Sequence, residues 1–140
     1  MALSKNSSNN PSPKGSGGQS GEQSQAEFEM EFFGRVLDRK PDYIDVLRIM
    51  GNLLTLKGHF HEGLEIDKKL VQLRPDDALA FYNLACSFAL LNQKEESLSA
   101  LERSVELGYR DFQFMKQDRD LETIRQDPRF CRILQDFEKR

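Results

Sequence analysis

Two consecutive blocks of equal length constrain this chain more than any other feature. Residues 41–74 read PDYIDVLRIMGNLLTLKGHFHEGLEIDKKLVQLR, and residues 75–108 read PDDALAFYNLACSFALLNQKEESLSALERSVELG. Both are 34 residues long and both open on Pro-Asp. Each carries two apolar stripes at three- and four-residue steps, which is the spacing of a helix face, separated by a short polar break. The breaks are Lys57-Gly58-His59 and Asn92-Gln93-Lys94. Gly58 suits a helix C-terminus that needs a left-handed residue, and Asp76 or Asp77 suits a helix start. A fixed period holding two helices per unit is the signature of a stacked helical array, in which each unit buries its apolar face against its neighbours.

The flanks divide the rest. Residues 1–25 are Ser, Asn, Gly, Gln and Pro with one leucine, too poor in apolar groups to offset the entropy of ordering, and a disordered leader is expected there. The run Gly15-Ser16-Gly17-Gly18 lacks the preceding strand and the following Gly-Lys of a phosphate loop. Residues 26–40 carry Phe28, Phe32, Phe33, Val36 and Leu37 in a helical stripe. Pro41 ends that stripe, because proline disfavours helical geometry in the residue before it, and Asp42 stands where a cap for the next helix is expected. Residues 109–140 start a third unit and then depart from it. Asp111 and Asp120 are expected to open short helices, and Asp127-Pro128 is a start signal for a last one bearing Phe130, Cys131, Ile133, Leu134 and Phe137.

The paired blocks resemble tetratricopeptide (TPR) repeats. Leu47, Met50, Gly51, Leu54, Phe60, Leu70 and Pro75 in the first block stand as in that family, as do Phe81, Leu84, Ala85, Phe88, Leu101 and Leu107 in the second. Gly63 and Ser97 replace the usual alanine of the second helix, Tyr109 replaces the closing proline, and Lys94 replaces an aromatic of the turn. The final segment is similar to the closing segment of many bacterial TPR proteins. The resemblance implies an all-α, α-α superhelix: an N-terminal capping helix at 26–40, units at 41–74 and 75–108, and a partial third unit with a C-terminal cap at 109–140. It also implies that the first helix of each unit lines a concave groove, through Asp45, Arg48, Asn52, Thr55 and Leu56, then Leu79, Tyr82, Asn83, Cys86, Ala89 and Leu90.

Bulk charge and motif content limit the function classes. The net charge is −3, with +1 in residues 1–25 and −4 in the remainder. A mildly acidic body does not suit nucleic acid or an anionic membrane surface, both of which demand a basic face. No run approaches the roughly 20 apolar residues that span a bilayer, and the N-terminus has no apolar stretch behind Lys5, so a cytoplasmic protein is expected. Cys86 and Cys131 each lie in an apolar helical context and are expected as buried, reduced thiols. His59 and His61 are two apart and do not share a helix face, so they are expected as solvated turn residues and not as metal ligands. Asp118, Asp120 and Glu122 lack the glycine and bidentate glutamate of a calcium loop. With no hydrolase, kinase, Walker or zinc motif present, no catalytic residue, metal or cofactor is expected.

The expectation is therefore an adaptor that captures a short segment, chain end or amphipathic helix of another protein. Its contact residues would be Arg48, Asn52, Leu79, Tyr82, Asn83, Leu90 and Lys116. Arg48, Asn52 and Asn83 have the spacing with which some TPR domains hold chaperone C-terminal carboxylates, but Gln113 and Gln117 stand where that clamp needs cations, with Lys116 nearby. Two alternatives stand beside it: the groove is filled by the protein's own flanking helix, or the chain self-associates as a homo-oligomer through the groove or an end helix.

Overall fold

The computed structural model describes residues 24–139, and every described element is helical. Seven α-helices follow one another: α1 (Gln25–Arg39), α2 (Ile44–Leu56), α3 (Phe60–Leu73), α4 (Ala78–Leu90), α5 (Lys94–Glu106), α6 (Phe112–Gln117) and α7 (Pro128–Glu138). A 3-10 helix, Arg119–Ile124, joins the last two. The expected disordered leader lies outside the described residues except for its last two positions. Ser24 caps α1 in a reciprocal box with Glu27, and Gln25 is already helical.

The helices pack in chain order, α1 on α2, α2 on α3, α3 on α4 and α4 on α5. The two hairpins share one register. α2 and α4 each run 13 residues and begin 34 apart, as do the starts of α3 and α5. The turns match as well: Gly58 has φ 83° and Asn92, 34 positions later, has φ 61°. A left-handed residue reverses the chain at each helix end, and asparagine is the side chain that tolerates this next best after glycine.

Small residues set the distance between paired helices. A Cβ on Gly63 of α3 would come within 3.2 Å of the Thr55 hydroxyl of α2 and 3.9 Å of the Gly51 carbonyl. The glycine thus does more than lower helix propensity: it allows α3 to seat against α2. In the second hairpin the same places hold Ala85 and Ser97, and the Ser97 hydroxyl donates to the Ala85 carbonyl at 2.7 Å. The hairpins are joined by a buried pair, the Ser87 hydroxyl of α4 donating to the Asp67 carboxyl of α3.

Several local expectations shift. Asp42 does not cap α2, whose cap position is Tyr43 with no side-chain bond; Asp42 instead faces Lys69 at 3.7 Å. Lys94 is the first residue of α5, so the second break is Leu91-Asn92-Gln93. Asp118, not Asp120, caps the 3-10 helix. Cys86 is buried as expected, but Cys131 is exposed, because Phe130 and Ile133 take the inner face of α7.

Asp77 caps α4 by accepting from the Ala80 N–H at 3.1 Å, and its second oxygen accepts from the Arg48 guanidinium of α2. Burial works to raise its pKa, but Arg48 and the backbone N–H donors outweigh that and hold the carboxyl below its ordinary value of 3.8. A lowered folded-state pKa contributes stability that is present above pH 3.8 and is lost as the pH falls through the folded value. Asp77→Ala should therefore cost about 1–2 kcal/mol in urea denaturation at pH 7. Asp77→Asn, which keeps the cap and loses the charge, should cost less and flatten the loss of stability below about pH 4.

Candidate functional site

One face of α2 and the equivalent face of α4 carry the expected contact positions, and the two have different fates. Positions 45, 48, 49, 52 and 56 of α2 correspond, 34 residues on, to 79, 82, 83, 86 and 90 of α4. On α4 this face is closed by the chain itself. Tyr82 and Cys86 are 0 % exposed and Asn83 is 7 % exposed. On α2 the same face is open: Asp45 is exposed, Asn52 is half-buried, and Ile49 and Leu56 are 39 % and 48 % exposed.

The closing element is the C-terminal segment, whose sequence explains why it stays. Met115, Leu121 and Ile124 are fully buried, and Phe112 nearly so, within the same core cluster as Tyr82, Ala85 and Leu98. Burying each such side chain contributes about 1.5–3 kcal/mol. Asp118 then docks the polar part. Its carboxyl is 0 % exposed, accepts the Tyr82 hydroxyl at 2.6 Å, and lies 3.7 Å from the Cys86 sulfur. Its other oxygen accepts from the Asp120 N–H at 3.0 Å, and its backbone carbonyl accepts from Arg125. Tyr109 stacks on Tyr82 with ring centroids 4.2 Å apart and planes within 3°. The Thr123 hydroxyl donates to the carbonyl of Ala89, 3.1 Å away. Burial, the nearby Cys86 and Asp118 raise the Tyr82 pKa far above that of a free phenol, and burial raises that of Tyr109.

Cys86, Asp118 and Asp120 bring a sulfur and two carboxylates within 4.8 Å of one another. The Tyr82 hydroxyl and the Asp120 N–H each donate to one of the two Asp118 oxygens, so a hydrogen-bonded seam runs through this group.

The expected contact residues are redistributed accordingly. Tyr82 is fully buried under the C-terminal segment, and Asn83 is buried to 7 % exposure. Leu79 packs half-buried on the core and Leu90 is half-buried. Arg48 spends its guanidinium on Asp77, so the carboxylate clamp is not assembled. Lys116 is 3.0 Å from Glu138 of α7. Asn52 is half-buried between Ile49 and Leu56 on the open face. Sequence reasoning passed over Ile49 and did not give Asp118 its docking role. The signal for Asp118 was present: a tyrosine on the groove face and a closing segment rich in apolar residues.

A second open surface lies on another side of α4. Phe81, Leu84 and Phe88 floor a depression of about 490 Å³ edged by Glu95, Glu96 and Arg103 of α5.

The fold is an all-α array of helical hairpins in which the C-terminal segment covers one face of α4 and the matching face of α2 stays open. No family model matches the chain. Among curated proteins it is 32% identical over 116 residues to a chloroplastic protein of Arabidopsis thaliana, a match covering 81% of this chain and 34% of that protein. The chain thus spans about a third of that relative's length. No helix among the described residues is long and apolar enough to cross a membrane.

Tyr82→Phe removes the donor to a fully buried carboxyl. It should lower unfolding free energy by about 1–3 kcal/mol, read as a lower urea midpoint at unchanged slope.

Proposed function

We propose that this chain is a TPR-type adaptor that holds an apolar or amphipathic segment of another protein on the open half of its concave face. The observation that carries the reading is the asymmetry between the two hairpins. The face of α4 is closed by the chain's own C-terminal segment, while the matching face of α2 exposes Ile49 and Leu56 on either side of Asn52. Exposed aliphatic side chains seven positions apart suit a helical or extended partner segment that buries them. Asn52 supplies polar contacts to that segment's backbone, and Asp45 favours a cationic residue at one end.

The TPR reading is supported by the 34-residue offset of helix starts, by left-handed residues at both hairpin turns, and by small residues at the paired close approaches. Binding is favoured over catalysis because the most reactive grouping, Tyr82, Cys86 and Asp118, is wholly buried and internally bonded. Residence in the cytoplasm belongs to the same proposal. The name of the Arabidopsis relative assigns that protein to the chloroplast.

Ile49→Asp/Leu56→Asp tests the site, because both positions are exposed and such changes leave stability within about 0.5 kcal/mol. Affinity capture from the source cells, read by mass spectrometry, should lose its specific partner at least about tenfold with the double variant, on the scale of one lost contact cluster. Undiminished capture would remove the α2 face from the mechanism. Loss through Phe81→Ser/Phe88→Ser instead would move the site to the outer depression.

A further inference from the structure

The outer side of α1 is a further open surface, separate from the α2 face and from the depression beside α4. α1 turns Met30, Phe33, Gly34 and Leu37 toward the array, and a Cβ on Gly34 would sit 3.5 Å from the end of the Met50 side chain of α2. Its opposite side exposes Phe28 at 53 % and Phe32 at 46 %, the first of which is the most exposed large apolar side chain among the described residues. Phe28, Phe32, Arg35 and Arg39 follow steps of four, three and four, which is the stripe of a helix-pairing seam. Phe32, Arg35, Val36 and Arg39 outline a shallow depression of about 300 Å³ one turn beyond Phe28.

Charge on this helix is divided by position. Glu27, Glu29 and Glu31 lie in its first half; Arg35, Asp38 and Arg39 lie in its second, followed by Lys40, which leaves that half net positive. A helix acidic at one end and basic at the other is complementary to itself when run antiparallel. A two-fold axis at Phe32 sets the acidic half of each copy against the basic half of the other. The same axis carries Phe28 of one copy to the level of Val36 in the other, where the depression lies. Apolar and charged groups are satisfied by one operation, which is the requirement of an isologous interface.

We infer that α1 is a self-recognition element, pairing antiparallel with α1 of a second copy of this chain through Phe28 and Phe32. A single helix pair is a small interface, below about 1,200 Å² in total, so the dimer is transient, with Kd on the order of 100 μM.

Sedimentation equilibrium of the full chain from about 10 μM to about 1 mM brackets that value. The wild type should pass from monomer to dimer, and Phe28→Glu/Phe32→Glu should stay monomeric with unchanged circular dichroism. Two charge variants test the orientation. Glu29→Arg/Glu31→Arg makes α1 net basic, with Glu27 and Asp38 kept, and Arg35→Glu/Arg39→Glu makes it acidic throughout. Each should be monomeric alone, and an equimolar mixture should associate at least as well as wild type. A wild type that is monomeric across the range overturns the inference, whichever other segment covers α1. So does a dimer that survives the double glutamate variant, or a mixture that associates no better than its separate components. None of these outcomes depends on partner capture at Ile49 and Leu56, so the two proposals fail separately.

Discussion

The docking of Asp118 beneath Tyr82 is the contact on which the rest of this molecule depends. A carboxyl with no solvent exposure is tolerated only where donors meet it, and two do: the Tyr82 hydroxyl from α4 and the Asp120 N–H of the 3-10 helix, while Arg125 donates to the Asp118 backbone carbonyl. The stacked Tyr109 ring and the apolar side chains of Met115, Leu121 and Ile124 exclude water around it. Polar specificity and apolar burial act together here. Burial supplies the free energy, and the Tyr82–Asp118 bond fixes the register in which the segment lies.

That docking decides which helix faces stay exposed. A concave face lined by two equivalent helices would offer one continuous trough. In this chain the second helix has lost its half to the C-terminal segment, and the equivalent of Tyr82 on α2 is Arg48, which reaches across to cap-bearing Asp77. The ion pair between Arg48 and Asp77 ties the two hairpins and leaves Ile49, Asn52 and Leu56 as the remaining surface of that face. The ends of the array differ in the same way. The C-terminal end is sealed by α7, held by Arg129 to Glu95 and by Lys116 to Glu138. The N-terminal end leaves Phe28 and Phe32 uncovered.

Much of the fold was legible in the sequence, for a physical reason. Helix periodicity and turn chemistry are local properties, so the existence and order of α2 to α5 and the start of α7 at Asp127-Pro128 could be read directly, while the start of α5 and the cap of α2 shifted by a residue. Tyr82, Asn83 and Arg48 could not be assigned correctly, because their roles depend on contacts 36 and 29 residues away for Tyr82 and Arg48, and on what lies over the helix for Asn83. A face-position rule says where a side chain points and is silent on what covers it. Cys131 shows the same limit on a smaller scale: an apolar neighbourhood in sequence did not reveal which side of α7 faces inward.

Thiol reactivity of the intact chain tests the closed face most directly. Cys86 lies under the C-terminal segment with no exposed surface, while Cys131 stands on the outside of α7. Labelling with a soluble maleimide, mapped by peptide mass spectrometry, should modify Cys131 at the rate of a free thiol and Cys86 only at the rate of global unfolding. Rapid modification of both cysteines under native conditions would show that the segment does not cover α4, and would contradict the half-closed face on which the proposed binding surface rests.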